Sequence, residues 1–371
     1  MNAPRIDVDL DKIEHNARTL VDRLAPSGIR VTGVTKAVLG SPGVGAAMLR
    51  GGAVGLGDSR VPNLVRLAGL AGPDGSSSRT LIRSPMLSQV GQVVLNATCS
   101  LNTEATVLAG LDRAAARERR IHDVILMVEL GDLREGIATH DVADAVRQVL
   151  DFPSLRLVGL GANLACQNGV VPTEQNLGVL SDLVERVESR HGLALTTISG
   201  GNSANLQWAT STPDIGRIND LRLGEAILLG LDPLERTPIE SLHLDAFSLR
   251  AEVIEVATKP AQPWGSRAQT AYGVPALRTG SGLVRQAIVA IGRQDTDPDG
   301  LVPPEGITVL GASSDHLVLD LGDHAVSVGD ELAFSLGYGA LVRAMTSPFV
   351  AKVERAPTAP RPAVAPELEL S

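Results

Sequence analysis

At 371 residues the chain exceeds one ordinary domain and falls short of three, so two domains are expected. Its 44% hydrophobic and 20% charged residues describe a globular protein, and a net charge of −9 offers no electrostatic reason to bind nucleic acid or an anionic membrane. No apolar run reaches membrane-spanning length, the first residues lack a signal-type apolar region, and Cys99 and Cys166 form no motif, so a cytoplasmic protein without disulfides is expected.

In chain order, short β-branched runs read as strands at 31–35, 53–56, 80–82, 98–101, 124–130, 157–163, 196–199 and 219–223. Between them lie segments with apolar residues at helical spacing, such as 142–150 and 177–188. Eight strand–helix units in about 250 residues match the arithmetic of an α/β fold of the (β/α)8 TIM-type barrel, with a doubly wound open sheet as the alternative. After residue 235 helical periodicity fades. Runs at 250–257, 286–291, 307–310, 317–321 and 331–336, separated by Pro, Gly and Asp, indicate a mostly antiparallel β-domain. The expected division is therefore 1–235 for the barrel, with the first eight or so residues able to join the β-domain, then 236–355, then a Pro/Ala-rich disordered tail at 356–371.

In a barrel, reactive groups gather just past the strand ends at one face. Those positions hold Lys36, Asp58, Arg60, Arg83, Asn102, Arg134, Asn163, Asn202, Ser203 and Arg222. Lys36 is either a solvated or ion-paired strand-end lysine or an amine able to form an imine with an aldehyde cofactor. Ser-Gly-Gly-Asn-Ser-Ala-Asn (199–205) follows the seventh run and Arg-Leu-Gly-Glu-Ala (222–226) the eighth. Phosphate sites in barrels commonly lie after strands seven and eight, where glycines and helix starts expose backbone N–H groups. Arg134, in Gly-Asp-Leu-Arg-Glu-Gly (131–136), suits a substrate carboxylate or belongs to a solvated charge cluster on a turn.

These motifs, in this order, resemble the fold-type III pyridoxal-5′-phosphate (PLP) racemases, and among them the alanine/ornithine racemase group. The markers are Val-Thr-Lys-Ala (34–37), Gly-Asp-Ser-Arg (57–60), Glu-Leu-Gly-Asp-Leu-Arg-Glu-Gly (129–136), Ser-Gly-Gly-Asn-Ser-Ala (199–204) and Leu-Arg-Leu-Gly-Glu-Ala-Ile-Leu-Leu-Gly (221–230). Further on come Ala-Ile-Gly-Arg-Gln-Asp (290–295), Gly-Ala-Ser-Ser-Asp-His (311–316) and Ala-Met-Thr-Ser-Pro (344–348), so the likeness spans about 5–353. The resemblance implies that Lys36 holds the cofactor, that Arg222 hydrogen-bonds its ring nitrogen, and that Asn202, Ser203 and the N–H groups of Gly224 and Glu225 belong to the cofactor site. It implies that Arg134 meets the substrate carboxylate. Ser314 and Asp315 would reach the active site of a partner subunit, making a homodimer with shared sites.

Inversion at an α-carbon needs an acid and a base on opposite faces. Lys36 is one. The family's second base is a tyrosine in a Ser-Tyr-Gly turn, whereas this chain reads Gln-Pro-Trp-Gly-Ser at 262–266 and has only two tyrosines, Tyr272 and Tyr338. Tyr272 is the first candidate for that role and His316, beside Asp315, the second. The family's phosphate-binding tyrosine is not evident, and Thr346 or Ser347 stands in for it. Asp295, in Gly-Arg-Gln-Asp, is a candidate partner for the distal ammonium of ornithine or another basic amino acid, or else pairs with Arg293 at an interface. The expected activity is racemisation of a small free amino acid. A PLP-dependent decarboxylase and a non-catalytic PLP-binding protein are the alternatives; Arg134 disfavours the first and the β-domain the second.

Overall fold

The computed structural model describes residues 3–72, 75, 78–274, 278 and 280–355; the segment 356–371, expected to be disordered, lies outside them. Strand β1 (Arg5–Asp9) leads directly into helix α1 (Leu10–Leu24), whose first turn is capped by the Asp9 side chain accepting from the Lys12 N–H. Eight strands then alternate with helices: β2 (Arg30–Val34), α2 (Pro42–Arg50), β3 (Gly55–Asp58), α3 (Val61–Arg66), β4 (Arg79–Leu81), α4 (Val90–Asn96), β5 (Cys99–Asn102) and α5 (Ala105–Arg117). They continue with β6 (His122–Val128), α6 (Val142–Leu150), β7 (Leu155–Ala162), α7 (Glu174–His191), β8 (Thr197–Ser199), α8 (Leu206–Ser211), β9 (Asp220–Leu223) and α9 (Glu225–Leu229). Strands β2 to β9 pair in sequence, all parallel, and β9 returns to β2 through Arg30↔Asp220 to Gly33↔Leu223. The barrel is closed, which excludes the open-sheet alternative.

Side chains alternate across each strand. On β9, Leu221 and Leu223 face outward into the apolar layer beneath the helices, whereas Asp220 and Arg222 face the lumen. The same alternation on β8 turns Ile198 outward and Thr197 and Ser199 inward. The apolar part of the lumen is one small cluster of Cys99, Leu101, Ile125 and Met127, backed by Ile82 and Val158. The remaining lumen is polar, including Thr32, Ser199, Asp220 and Arg222.

The second sheet contains β10 (Phe247–Pro260), β11 (Leu283–Val289), β12 (Leu301–Val302), β13 (Thr308–Ala312), β14 (Leu317–Asp320) and β15 (Glu331–Leu336), followed by α10 (Tyr338–Thr346) and β16 (Ala351–Arg355). Its order is β12-β15-β10-β11-β14-β13, all antiparallel, with β1 joined antiparallel to β10 and parallel to β16. The first strand of the chain therefore belongs to this sheet. Helix α10 and strand β16 have no counterpart in the periodicity of the sequence. The helix is a single short segment in a β-rich region, and β16 is mostly exposed and lacks an apolar alternation. Helix α10 packs against the turn Lys36–Val38 at the C-terminal end of β2, bringing the sheet's helix to the mouth of the barrel.

Candidate active site

A cavity of about 340 Å³ opens at the C-terminal end of the barrel strands, within the size range of small-molecule sites. Its walls carry Lys36, Arg134, Asn163, Asn202, Ser203, Arg222, Gly224 and Glu225, so residues expected at the site from five separate strand ends converge there. Glu135, Cys166, Arg236 and Tyr338 also line it.

Lys36 begins a tight turn after β2 and is exposed to the cavity. Beneath it, Thr35 donates to Asp58 Oδ2 at 2.8 Å, while Asp58 Oδ1 accepts from the Arg60 N–H at 3.0 Å and Asn63 Nδ2 at 2.9 Å. Burial raises the proton affinity of Asp58 against the pull of these donors. The carboxylate thus ties the ends of β2 and β3 together and leaves the lysine free to point up. Arg60 and Arg83 are exposed, and Asn102 is buried against Ser100; none of the three lines the cavity.

Arg222 forms the floor. Its Nη1 donates to Ser199 Oγ at 2.6 Å, and its Nη2 to the Ala162 carbonyl at 2.8 Å and Asn163 Oδ1 at 3.4 Å. Asn163 Oδ1 also accepts from Asn202 Nδ2 at 3.2 Å. With its oxygen committed to two donors, the orientation of that amide is set, and its buried Nδ2 is left without a partner beside the cavity.

On the next wall, Ser203 Oγ accepts from the N–H groups of Gly224 at 3.4 Å and Ala226 at 3.2 Å, where α9 begins. The Glu225 N–H, between these two donors in sequence, makes neither contact with Ser203. The Glu225 side chain pairs with Arg236, and burial raises its proton affinity despite that partner. The loop holding Ser203 is shaped by Gly201, at φ +148°, where an added Cβ would lie 2.1 Å from Asn205 Oδ1. Asn202 braces the loop by accepting from the Ala204 N–H at 2.8 Å and donating to the Leu164 carbonyl at 2.8 Å.

Tyr338, the first residue of α10, completes this wall, and burial pushes its phenol pKa upward. Thr346, expected at the cofactor site, does not line this cavity. Thr346 ends the same helix, roughly 12 Å away at 1.5 Å per residue, is exposed, and donates to the Val342 carbonyl at 2.7 Å. Asp295 stands apart from the cavity too. It is buried, accepts from Ser347 Oγ at 2.7 Å, and does not line the cavity; Arg293 lies nearest Asp299, at 3.8 Å. The Ser347 hydroxyl gives this buried carboxyl a donor within its own domain.

Arg134 meets the cavity with its fork engaged by the neighbouring Glu135, an ion pair that raises the arginine's pKa. Its loop is anchored by Asp132, which is buried and accepts from the backbone N–H groups of Cys166 at 3.0 Å, Gln167 at 2.9 Å, Asn168 at 3.1 Å and Val170 at 3.3 Å. Burial alone would raise the proton affinity of this carboxyl, but the four donors hold it below the usual carboxylate range.

Tyr272, Ser314, Asp315 and His316 lie outside the cavity. Residues 313–316 turn between β13 and β14, where His316 Nδ1 faces Asp315 Oδ1 at 3.0 Å. Tyr272 donates to Ser314 Oγ at 3.1 Å, and the Arg293 guanidinium sits 5.4 Å from its ring centre. These groups form a second cluster on the outer part of the sheet.

The sequence profile described as "Alanine racemase, N-terminal domain" matches residues 8–233. The chain belongs to the alanine racemase family. It is accordingly an amino-acid racemase, an isomerase. It is 38% identical over 355 residues to the lysine racemase of Thermotoga maritima, covering 94% of this chain and 98% of that one. It is 33% identical over 353 residues to the ornithine racemase of Acetoanaerobium sticklandii, covering 94% and 99%. Among solved structures, alanine racemase from Streptomyces coelicolor superposes with a TM-score of 0.73 at 19% identity, covering 94% of this chain and 97% of that one, which establishes the shared fold.

Replacing Asp132 by Asn should destabilise the protein by roughly 2 kcal/mol near neutral pH, the cost of weakening a charge-assisted buried acceptor. Because the folded carboxyl titrates below its unfolded value, its stabilisation is complete above about pH 4 and lost as pH falls through the folded value. Urea unfolding of both proteins across a pH series should show the gap closing in acid. A gap independent of pH would mean that the contact is steric.

Proposed function

We propose that the protein is a PLP-dependent racemase of a free basic amino acid, lysine or ornithine, acting as a cytoplasmic homodimer. The carrying observation is the convergence of Lys36, Arg222 and Ser203 on one cavity in a chain of this family. The unpartnered Nδ2 of Asn163 beside that cavity is a donor awaiting an acceptor, and the cofactor has several.

Bound here, PLP would supply delocalisation of the electron pair left when an α-proton is removed. Lys36 would hold it covalently. Ser203, the N–H groups of Gly224 and Glu225, and the Tyr338 hydroxyl would take its phosphate. Arg222, a donor that cannot lose its proton, would hydrogen-bond the ring nitrogen and keep it unprotonated. Arg134 would exchange Glu135 for the substrate carboxylate. Glu135, on the same wall, would then be free to pair with a distal ammonium, the task read for Asp295 in the sequence. The names of the lysine and ornithine racemases similar to this chain favour such a substrate.

Tyr272 is proposed as the second base. It is half exposed, and around it Trp264 and Val274 are 91% and 80% exposed. In a chain with 2% aromatics, such a patch suits an interface. On the cavity side, Leu133 beside Arg134 is 74% exposed. A homodimer joining these faces would set Tyr272 of the partner subunit opposite Lys36. The Tyr272 hydroxyl and Lys36 Nζ would then take and return the α-proton from opposite sides.

Incubation with single enantiomers of lysine, ornithine and alanine in D₂O should give racemisation of the basic substrates with deuterium at the α-carbon. Lys36→Ala should lose bound cofactor and activity; carbon dioxide release by the wild type in place of racemisation would reject the reading. Tyr272→Phe should slow racemisation at least a hundredfold while sparing cofactor binding, as expected for loss of a general acid–base group, and an undiminished rate in both directions would remove it as the second base. Glu135→Gln should raise KM for lysine about tenfold relative to KM for alanine, worth roughly 1.4 kcal/mol, since any change at Arg134 acts on both substrates; equal effects on both would dissociate Glu135 from side-chain recognition.

A further inference from the structure

A second cavity, of about 590 Å³, enters the barrel from the opposite, N-terminal end. It is lined by Thr32, Ser199, Asp220 and Arg222, and Arg222 alone of the lining residues also borders the cavity at the C-terminal end. The arginine is therefore both the floor of one cavity and the ceiling of the other. Below it, Ser199 Oγ donates to Asp220 Oδ1 at 2.6 Å, and Thr32 Oγ1 donates to Asp220 Oδ2 at 2.8 Å.

We propose that Asp220 is a positioning residue for Arg222: the chain Arg222→Ser199→Asp220←Thr32 fixes the guanidinium beneath the cofactor and sets the charge that the cofactor's ring meets. This rests on the PLP reading above.

Every hydrogen in the chain has one possible direction. Arg222 can only donate, so Ser199 Oγ accepts from it and turns its own hydrogen to Asp220. Asp220 accepts from both hydroxyls, one on each oxygen, which an ionised carboxylate does with no donor left over. An amide at 220 would offer one acceptor oxygen and a donating nitrogen, so Ser199 or Thr32 would have to reverse. Arg222 and Asp220 are 6% and 4% exposed, so the pair also balances a buried charge. Burial lowers the arginine's pKa and Asp220 is the foremost group opposing that effect.

With PLP bound to Lys36, the proton affinity of the group joining them would depend on the charge below the ring. The other charged groups around this cavity are Asp58, Arg134, Glu135, Glu225 and Arg236, with Tyr338; the lower cavity adds Arg30, Asp123 and Arg156. All are retained when only residue 220 changes.

The test uses the cofactor-loaded protein, following the pH titration of its visible absorbance and retention of PLP on dialysis. Asp220→Asn removes one negative charge and should lower the titration midpoint by roughly one pH unit, the size of a unit-charge interaction across the pocket. Ser199→Ala keeps both charges and cuts the link; it should leave the midpoint within a few tenths of a unit but weaken PLP retention about tenfold. A folded Asp220→Asn protein with the wild-type midpoint and retention would overturn the proposal. Should that variant fail to fold, wild-type retention in Ser199→Ala would overturn it equally. Absence of any bound-cofactor absorbance in the wild type would instead remove the functional reading on which the proposal rests.

Discussion

Burying a guanidinium inside a closed barrel constrains everything around it. Arg222 cannot shed its proton, so each inward N–H needs an acceptor and the charge needs a counterpart. The Ala162 carbonyl, Ser199, Asn163 and, through Ser199, Asp220 meet those demands from the ends or interiors of neighbouring strands. This explains why the barrel's interior is divided. One side is a small apolar cluster around Ile125 and Met127, and the other is a polar column running from Thr32 to Arg222. A uniformly aliphatic lumen would leave the arginine unsatisfied.

The upper cavity inherits its rigidity from hydrogen bonds between successive loops. Asp58 joins the ends of β2 and β3, Asp132 clasps the loop after β7, and Asn202 ties the loop after β8 to that same segment. Each brace uses a short side chain, with Asp58 accepting from the Thr35 hydroxyl, Asp132 accepting from backbone N–H groups and Asn202 donating to the Leu164 carbonyl, so the site's geometry depends on directional contacts. The long, charged side chains of Lys36, Arg134 and Arg236 are presented on this framework and can exchange partners when a ligand enters. Rigid acceptors below and adaptable cations above suit a site that must hold one ligand and turn over another.

The two tyrosines divide along the sheet. Tyr338 reaches the cavity of its own chain because α10 packs on the Lys36–Val38 turn. Tyr272 sits with Ser314 and Arg293 and is not part of that cavity's lining. With so few aromatics in the chain, one half-buried phenol lines the cavity and the other stands half exposed outside it.

The barrel was legible in the sequence because its strands are β-branched runs recurring at the period of a strand–helix unit. All eight appear within a few residues of their expected positions, and Lys36, Ser203 and Arg222 fall at strand ends where function collects. Local patterning determines such features, since a strand's period and a glycine's freedom are properties of a few adjacent residues. The places of Tyr338 and Glu135 on the cavity wall, of Asp220 beneath Arg222, and of Thr346 and Asp295 away from the cavity were not legible. Their environments depend on which distant elements pack together: α10 against the Lys36 turn, Ser199 beside Asp220, and Ser347 over Asp295. A polar side chain in a sequence carries no sign of whether its partner is a ligand or another residue of the chain. Only the tertiary structure decides that, because hydrogen-bond partners are chosen by proximity in space.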